Sequence, residues 1–344
     1  MIMNIKIFKG NFFEIGQQQG QIYKSNGMDF DKVKIDSVLY KNQLDVYKKH
    51  YPELLEEFRG MAKGGDFDEE KLIYDFITSE IYYYRKQFGL DKACTIFGYK
   101  TKGNLFVGRN YDWLPETEKI FEVYKVLDPE RNSFIAVTDM GIGSSATAKP
   151  EYFFYNADDA INDKGLFIGL TFANADEWSY GISCIHMIKI IAETCETVKD
   201  AIKVFERIPL CCPKNFFIAD KNGDMVVVEH TSKKFKVIHP ENNILIQTNH
   251  YVDSELAKED VVLKRVPQHN TFIRYYETLQ KINQEKDKFN LNSPIKILGR
   301  PGSYTCQNFP GIKTIWTLAL DMTNRKYKIY WDTSEERKES ELEI

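Results

Sequence analysis

Ala93-Cys94-Thr95-Ile96-Phe97-Gly98-Tyr99-Lys100, then Thr101-Lys102-Gly103-Asn104, then Leu105-Phe106-Val107-Gly108-Arg109-Asn110-Tyr111-Asp112-Trp113 is the stretch that decides the fold. Two runs rich in aromatic and β-branched residues flank a short polar segment containing glycine, which predicts a tight β-hairpin. With the turn at Lys102-Gly103, Cys94 faces Tyr111 and Ile96 faces Arg109. Facing residues and alternate residues share one side of a sheet, so Cys94 and Arg109 fall diagonally on the same face. A guanidinium beside a thiol favours the nucleophilic thiolate. Asp112, on the same strand, is placed to hold that arginine or an ammonium group. A surface Arg–Asp pair next to a buried cysteine accounts equally well for these residues on hairpin geometry alone.

Before the hairpin, residues 28–90 read as helical, with Val38, Leu39, Leu44, Tyr47, Leu54 and Phe58 at three-to-four spacing and a break at Gly64-Gly65. The preceding Gly10-Asn-Phe-Phe-Glu-Ile-Gly16 reads as a strand or turn. After the hairpin, Ile120–Leu127, Ser133–Thr138 and Leu166–Phe172 are predicted strands, and Ser183–Ile208 carries one long amphipathic helical pattern. Short strands follow at Asn215–Ala219, Met225–Glu229, Phe235–Ile238 and Ile244–Thr248. Thr271–Ile282 is a predicted helix, and Thr314–Asp321 with Lys326–Trp331 closes as a hairpin. Antiparallel strands in blocks with helix pairs between them predict a layered α+β fold, sheets packed on sheets and helices outside.

The 344-residue chain, 43% hydrophobic and 14% aromatic, can bury a large core, and no disordered linker interrupts it. A net charge of −4 with lysine and arginine scattered among the acids excludes a basic nucleic-acid face and leaves a small molecule as the expected partner. No apolar run approaches membrane-spanning length and the first residues lack a signal-peptide pattern, so cytoplasm is the expected location and no membrane partner is expected. A homo-oligomer is compatible with this composition. The six cysteines, Cys94, Cys184, Cys195, Cys211, Cys212 and Cys306, match no zinc or CxxC spacing, and neither a metal nor a cofactor is expected.

A catalytic thiol needs a base. No histidine follows Cys94 closely; the best distant candidate is His250, in Thr248-Asn249-His250-Tyr251 at a strand end. The alternative base is the α-amine of Cys94 itself, which titrates near neutrality once the Ala93–Cys94 bond is cut.

Further blocks narrow this choice. Ala93-Cys-Thr-Ile-Phe and Gly108-Arg-Asn-Tyr-Asp-Trp113 join Gly10-Asn-Phe-Phe-Glu-Ile-Gly-Gln-Gln-Gln-Gly20 and Ala160-Ile-Asn-Asp-Lys-Gly-Leu-Phe-Ile-Gly-Leu170. Pro213-Lys-Asn-Phe-Phe-Ile-Ala-Asp-Lys-Asn-Gly-Asp224, Thr248-Asn-His250 and Thr314-Ile-Trp-Thr-Leu-Ala-Leu-Asp321 follow in order. Together they resemble the acyl-CoA:6-aminopenicillanic acid acyltransferase family, relatives of the choloylglycine and penicillin V hydrolases. The resemblance implies the four-layer αββα sandwich of N-terminal-nucleophile hydrolases, with residues 1–93 as a mainly helical pro-segment and 94–344 as the catalytic part. It implies autocleavage between Ala93 and Cys94, after which the two parts stay associated.

Carried over, the resemblance makes Cys94 the nucleophile, flanked by Arg109 and Asp112, with Asp112 orienting the amine. Asn249 becomes the oxyanion-hole asparagine, and Arg274, preferred to Arg265, the arginine near a helix start. Trp113, Thr171 and Phe172 are the expected substrate-binding residues. Thr171 stands where the bile salt enzymes have an asparagine, which argues against a bile salt substrate. The implied activity is hydrolysis of a linear carbon–nitrogen amide bond through an acyl-enzyme, or transfer of that acyl group to an amine. The competing readings are a papain-like Cys94–His250 hydrolase that works uncut and a catalytically silent binding protein on the same fold.

Overall fold

The computed structural model describes residues 3–85, 92–139, 155–266, 269–333 and 337–344. Strand β1 (Lys6–Lys9) leads into helices α1 (Phe12–Ser25), α2 (Ser37–His50), α3 (Glu53–Gly65) and α4 (Glu69–Arg85). The hairpin β2 (Ala93–Lys100) and β3 (Leu105–Trp113) follows, then β4 (Glu122–Leu127), β5 (Phe134–Thr138), β6 (Asp159–Asn162) and β7 (Leu166–Thr171). Helices α5 (Cys184–Thr194) and α6 (Val198–Arg207) precede β8 (Lys214–Asp220), β9 (Met225–His230), β10 (Phe235–Ile238) and β11 (Ile244–Gln247). The chain ends with α7 (Val262–Arg265), α8 (Thr271–Glu285), α9 (Ser293–Leu298), β12 (Asn308–Phe309), β13 (Ile312–Asp321), β14 (Lys326–Trp331) and β15 (Lys338–Glu341).

Two sheets carry the fold. One has eight strands in the order β1-β4-β5-β6-β7-β8-β9-β10; the other has seven, β11-β2-β3-β13-β14-β15 with β12 beside β13. Alternation along the strands gives each sheet two apolar faces. Between the sheets lie Cys94, Ile96, Val107, Tyr111, Phe167, Phe217, Val227 and Trp316. The outer face of the eight-stranded sheet is covered by α1 to α6 through a core that includes Tyr23, Phe58, Ile188 and Phe216. On the other side, Phe97 and Ile246 meet Ile282 and Leu298 from α8 and α9. The expected αββα layering is therefore present.

The hairpin has the expected register: Cys94 pairs with Tyr111 and Ile96 with Arg109. Two local expectations are corrected. The Gly10–Gly16 segment is not a strand or turn but largely the start of α1, capped by Asn11, whose side chain accepts the Glu14 N–H while Glu14 accepts the Asn11 N–H, each at 3.0 Å. Its glycine spacing serves close helix contact. A Cβ at Gly16 would meet the Glu57 carbonyl oxygen at 2.0 Å, and one at Gly60 would meet that of Phe13 at 2.1 Å, so α1 and α3 touch backbone to backbone. Ser183–Ile208 is two helices rather than one, because Thr197 caps a new start by accepting the Asp200 N–H at 3.2 Å. The tail of the long helical reading, residues 86–90, lies outside the described residues.

Residues before the hairpin are built into the body of the molecule. β1 pairs in parallel with β4, and Glu57 on α3 receives both bonds from the buried Lys189 on α5, at 2.5 and 2.6 Å. Gln43 on α2 donates to the carbonyls of Ile77 and Gly181. Glu80 on α4 accepts from Ser183 Oγ at 2.5 Å and from the Cys184 N–H at 2.6 Å, at the start of α5. A charged group this deep is retained only where such partners meet it.

Candidate active site

Cys94 is the second residue of β2, fully buried, with its side chain in the layer between the sheets. Burial pushes its thiol pKa up, because a thiolate there loses its hydration; the charge of the Arg109 guanidinium pulls the other way. Arg109 is also fully buried and its charge is met by Asp159 on β6: Nε lies 2.8 Å from Oδ1 and 2.7 Å from Oδ2. Burial disfavours the cation, but Asp159 and the thiol together hold its pKa above the usual arginine range. Asp159 also accepts the Trp316 indole N–H at 2.8 Å, so both lone-pair edges of the carboxylate are engaged.

Arg109 and Asp112 are an odd number of residues apart on one strand and point to opposite faces. Asp112 accordingly does not serve as the partner of Arg109. It accepts from Thr314 Oγ1 at 2.6 Å and from Gln307 Nε2 at 3.0 Å, with the Arg274 charge nearby. Burial raises its pKa, and Arg274 is the largest of the opposing influences.

The backbone of Cys94 is held at both ends. Its N–H donates to Asn249 Oδ1 at 2.7 Å, and its carbonyl accepts from Arg274 Nη1. Arg274 enters from the first turn of α8, donates Nη2 to Asn249 Oδ1 at 2.7 Å and Nη1 to Thr95 Oγ1 at 3.0 Å, and is fully buried. Burial lowers its pKa to about 10 while Asp112 and Cys94 oppose the shift. Asn249 Nδ2 is donated to the Phe172 carbonyl at 2.9 Å. Arg265, by contrast, pairs with the exposed Asp176 on the surface.

His250 stands apart from the thiol. Its Nδ1 meets the hydroxyls of Thr248 at 3.0 Å and Thr271 at 2.8 Å, and its ring rests on Phe272 at 4.2 Å. Burial, then the Arg274 charge, lowers its pKa to about 4. Among the described residues, no histidine bonds to the Cys94 thiol. Thr171 is fully buried and donates to the Thr248 carbonyl at 2.6 Å, fixing the strand end that carries Asn249.

Trp113 and Phe172 are brought together around a residue that sequence reasoning missed. Lys92, two positions before Cys94, is 1% exposed, and its ammonium lies 4.8 Å from the Trp113 ring, 4.9 Å from that of Tyr111 and 5.1 Å from that of Phe172. It donates to Asp139 Oδ2 at 2.7 Å and to the Tyr111 hydroxyl, which itself donates to Asp139. His269, also missed, meets the Lys92 carbonyl through Nε2 at 3.1 Å. A cavity of about 320 Å³ opens beside Ala93 and is bordered by Trp113, His269, Asn270 and Gln307.

The model of the acyl-coenzyme A:6-aminopenicillanic acid acyl-transferase family matches residues 99–336. The chain belongs to that family. The matched stretch contains Arg109, Asp112, Asn249 and Arg274 and begins just after Cys94. No functionally curated protein matches the sequence. Among solved structures, penicillin V acylase from Agrobacterium tumefaciens is similar with a TM-score of 0.53 at 15% identity, over 72% of this chain and 86% of that one. A conjugated bile acid hydrolase from Clostridium perfringens is similar with a TM-score of 0.49 at 14% identity, over 72% of this chain and 92% of that one. The likeness to penicillin V acylase is one of fold. Among the described residues, no helix is long and apolar enough to cross a membrane.

Proposed function

We propose that the chain is an autoprocessing amidase whose nucleophile is Cys94. The observation that carries this reading is the bracketing of Cys94: its N–H on Asn249, its carbonyl on Arg274, the Arg109 charge acting on its thiol, and no histidine bonded to the thiol among the described residues. A buried thiol without a side-chain base is a poor nucleophile, whereas a freed α-amine on the same residue supplies a base that titrates near neutrality.

In the first event the sulfur of Cys94 adds to the Ala93 carbonyl carbon, the carbon–nitrogen bond breaks with a proton going to the Cys94 nitrogen, and a thioester remains. Water then releases the Ala93 carboxylate. In turnover the thiol passes its proton to the new amine and attacks an external amide; the carbon–nitrogen bond breaks, the leaving amine takes that proton, and water hydrolyses the acyl-enzyme that remains. An amine in place of water turns the same intermediate into acyl transfer. Asn249 Oδ1 already holds the nitrogen that becomes the amine. Its Nδ2 donates one N–H to the Phe172 carbonyl, which leaves the second N–H of that amide for the oxyanion.

Residues 1–93 form the pro-segment in this reading. The buried Glu57–Lys189 pair, the Glu80 contacts to α5 and the β1–β4 pairing support its retention after the cut.

Intact-mass measurement of the purified chain and of Cys94→Ala tests the reading. Two fragments dividing between Ala93 and Cys94, co-eluting under native conditions, with the variant whole, are the expected result. A folded wild type that stays whole and hydrolyses amides would refute it.

A further inference from the structure

We propose that the acyl group this site accepts carries a cationic ammonium end, received by the place that Lys92 fills in the intact chain. The inference rests on Ala93–Cys94 being the bond that is cut. The same sulfur attacks the Ala93 carbonyl during processing and the substrate carbonyl during turnover. Whatever lies on the carbonyl side of the first bond therefore occupies the acyl subsite of the second. Ala93 supplies that carbonyl, and Lys92 is the next group outward.

Lysine is among the residues least often buried, because an ammonium removed from water without compensation is costly. At Lys92 the compensation is complete: the Asp139 carboxylate at 2.7 Å, the Tyr111 hydroxyl, and three ring faces within about the distance at which aromatic quadrupoles attract a cation. Tyr111 is fixed in turn by stacking on Trp316, centroids 3.9 Å apart. This is a receptor for a cation rather than a generic apolar slot.

Turnover of an external amide requires Lys92 to vacate. Asp139 then loses its cation, and the neighbouring Asp158, 2% exposed, shares the site: its Oδ2 accepts the Asp139 N–H at 3.1 Å, and its Oδ1 has no hydrogen-bond partner among the described residues. Two buried carboxylates, one of them already short of a donor, disfavour a neutral or anionic acyl chain and favour one that brings donors and positive charge. Burial, Asp139 and Asp159 raise the Asp158 pKa to about 7, with Lys92 among the groups opposing the shift.

The test uses the purified chain after intact mass has shown the cut. Initial rates are compared on three p-nitroanilides of N-acetylated dipeptides, lysyl-alanyl, methionyl-alanyl and glutamyl-alanyl, which differ only at the position of Lys92. The expected kcat/KM is about tenfold or more higher for lysyl than for methionyl, with glutamyl slowest. Asp139→Asn is expected to bring the lysyl-to-methionyl ratio close to one. The wild-type series decides the matter even where that variant fails to fold. Equal rates, a preference for methionyl or glutamyl, or a cut chain that hydrolyses none of the three overturns the cationic subsite and leaves the processing evidence intact. A chain that remains whole removes the processing mechanism, and this inference with it.

Discussion

Asn249 Oδ1 accepts the Cys94 N–H at 2.7 Å and, in the same geometry, the Arg274 Nη2 at 2.7 Å. One amide oxygen thus ties the strand carrying Cys94 to the first turn of α8. The third bond of that amide, Nδ2 to the Phe172 carbonyl, ties both to the end of β7. The position of the thiol is set by three elements from distant parts of the chain, and removing the amide loosens all of them.

Asn249→Ala is therefore expected to slow the Ala93–Cys94 cut by about 10²–10³-fold, the scale on which loss of one oxyanion donor acts. It also strands the Cys94 N–H and an Arg274 donor, costing about 1–3 kcal/mol of stability. A time course of intact mass, read beside a thermal melt, separates the two effects. Cutting at the wild-type rate in a folded variant contradicts the role given to this residue.

What was legible in the sequence was mostly local. The β2–β3 hairpin and its register follow from alternation and one turn, so Cys94 opposite Tyr111 needed no other part of the chain. The Asn11 and Glu14 spacing that caps α1 was also present, but the flanking Gly10 and Gly16 pointed to a strand or turn, and only α3 supplies the surface that Gly16 fits. Arg109 with Asp159 was illegible for a different reason. The two residues sit on different sheets, and nothing in periodicity fixes how one sheet is laid over another. Lys92 looked like an ordinary charge because its burial depends on Asp139 and Phe172, the residues just after β5 and β7 of the opposite sheet.

A pH dependence follows from Glu229, at the end of β9. Burial pushes its carboxyl up to about 7, against the lowering influence of the Val252 and Asp253 N–H groups that it accepts. The folded chain thus binds this proton more tightly than the unfolded chain, whose carboxyl titrates near its ordinary 4.5. The favourable contribution is complete below 4.5 and is lost as pH rises through about 7, for a total of at most about 3 kcal/mol. Glu229→Gln removes the titration. Its melting temperature should gain on that of the wild type between pH 5 and 8, and a constant difference across that range contradicts the assignment.

His250 gives the sharpest separation from a Cys–His mechanism. Its Nδ1 is taken up by the hydroxyls of Thr248 and Thr271, and Thr271 Oγ1 also accepts the Asn249 N–H at 2.9 Å, so the ring buttresses the site without bonding to the thiol. With its pKa lowered to about 4, the imidazole is neutral across physiological pH. A general base contributes about 10²–10⁴-fold to rate, and its removal takes that factor away. His250→Gln, which keeps an amide within reach of the two hydroxyls, is expected to cut itself and hydrolyse amides within about fivefold of wild type, far less than the loss of a base. A drop of about 10³-fold in hydrolysis with unchanged melting would instead make His250 the partner of Cys94 and return the mechanism to an uncut thiol hydrolase.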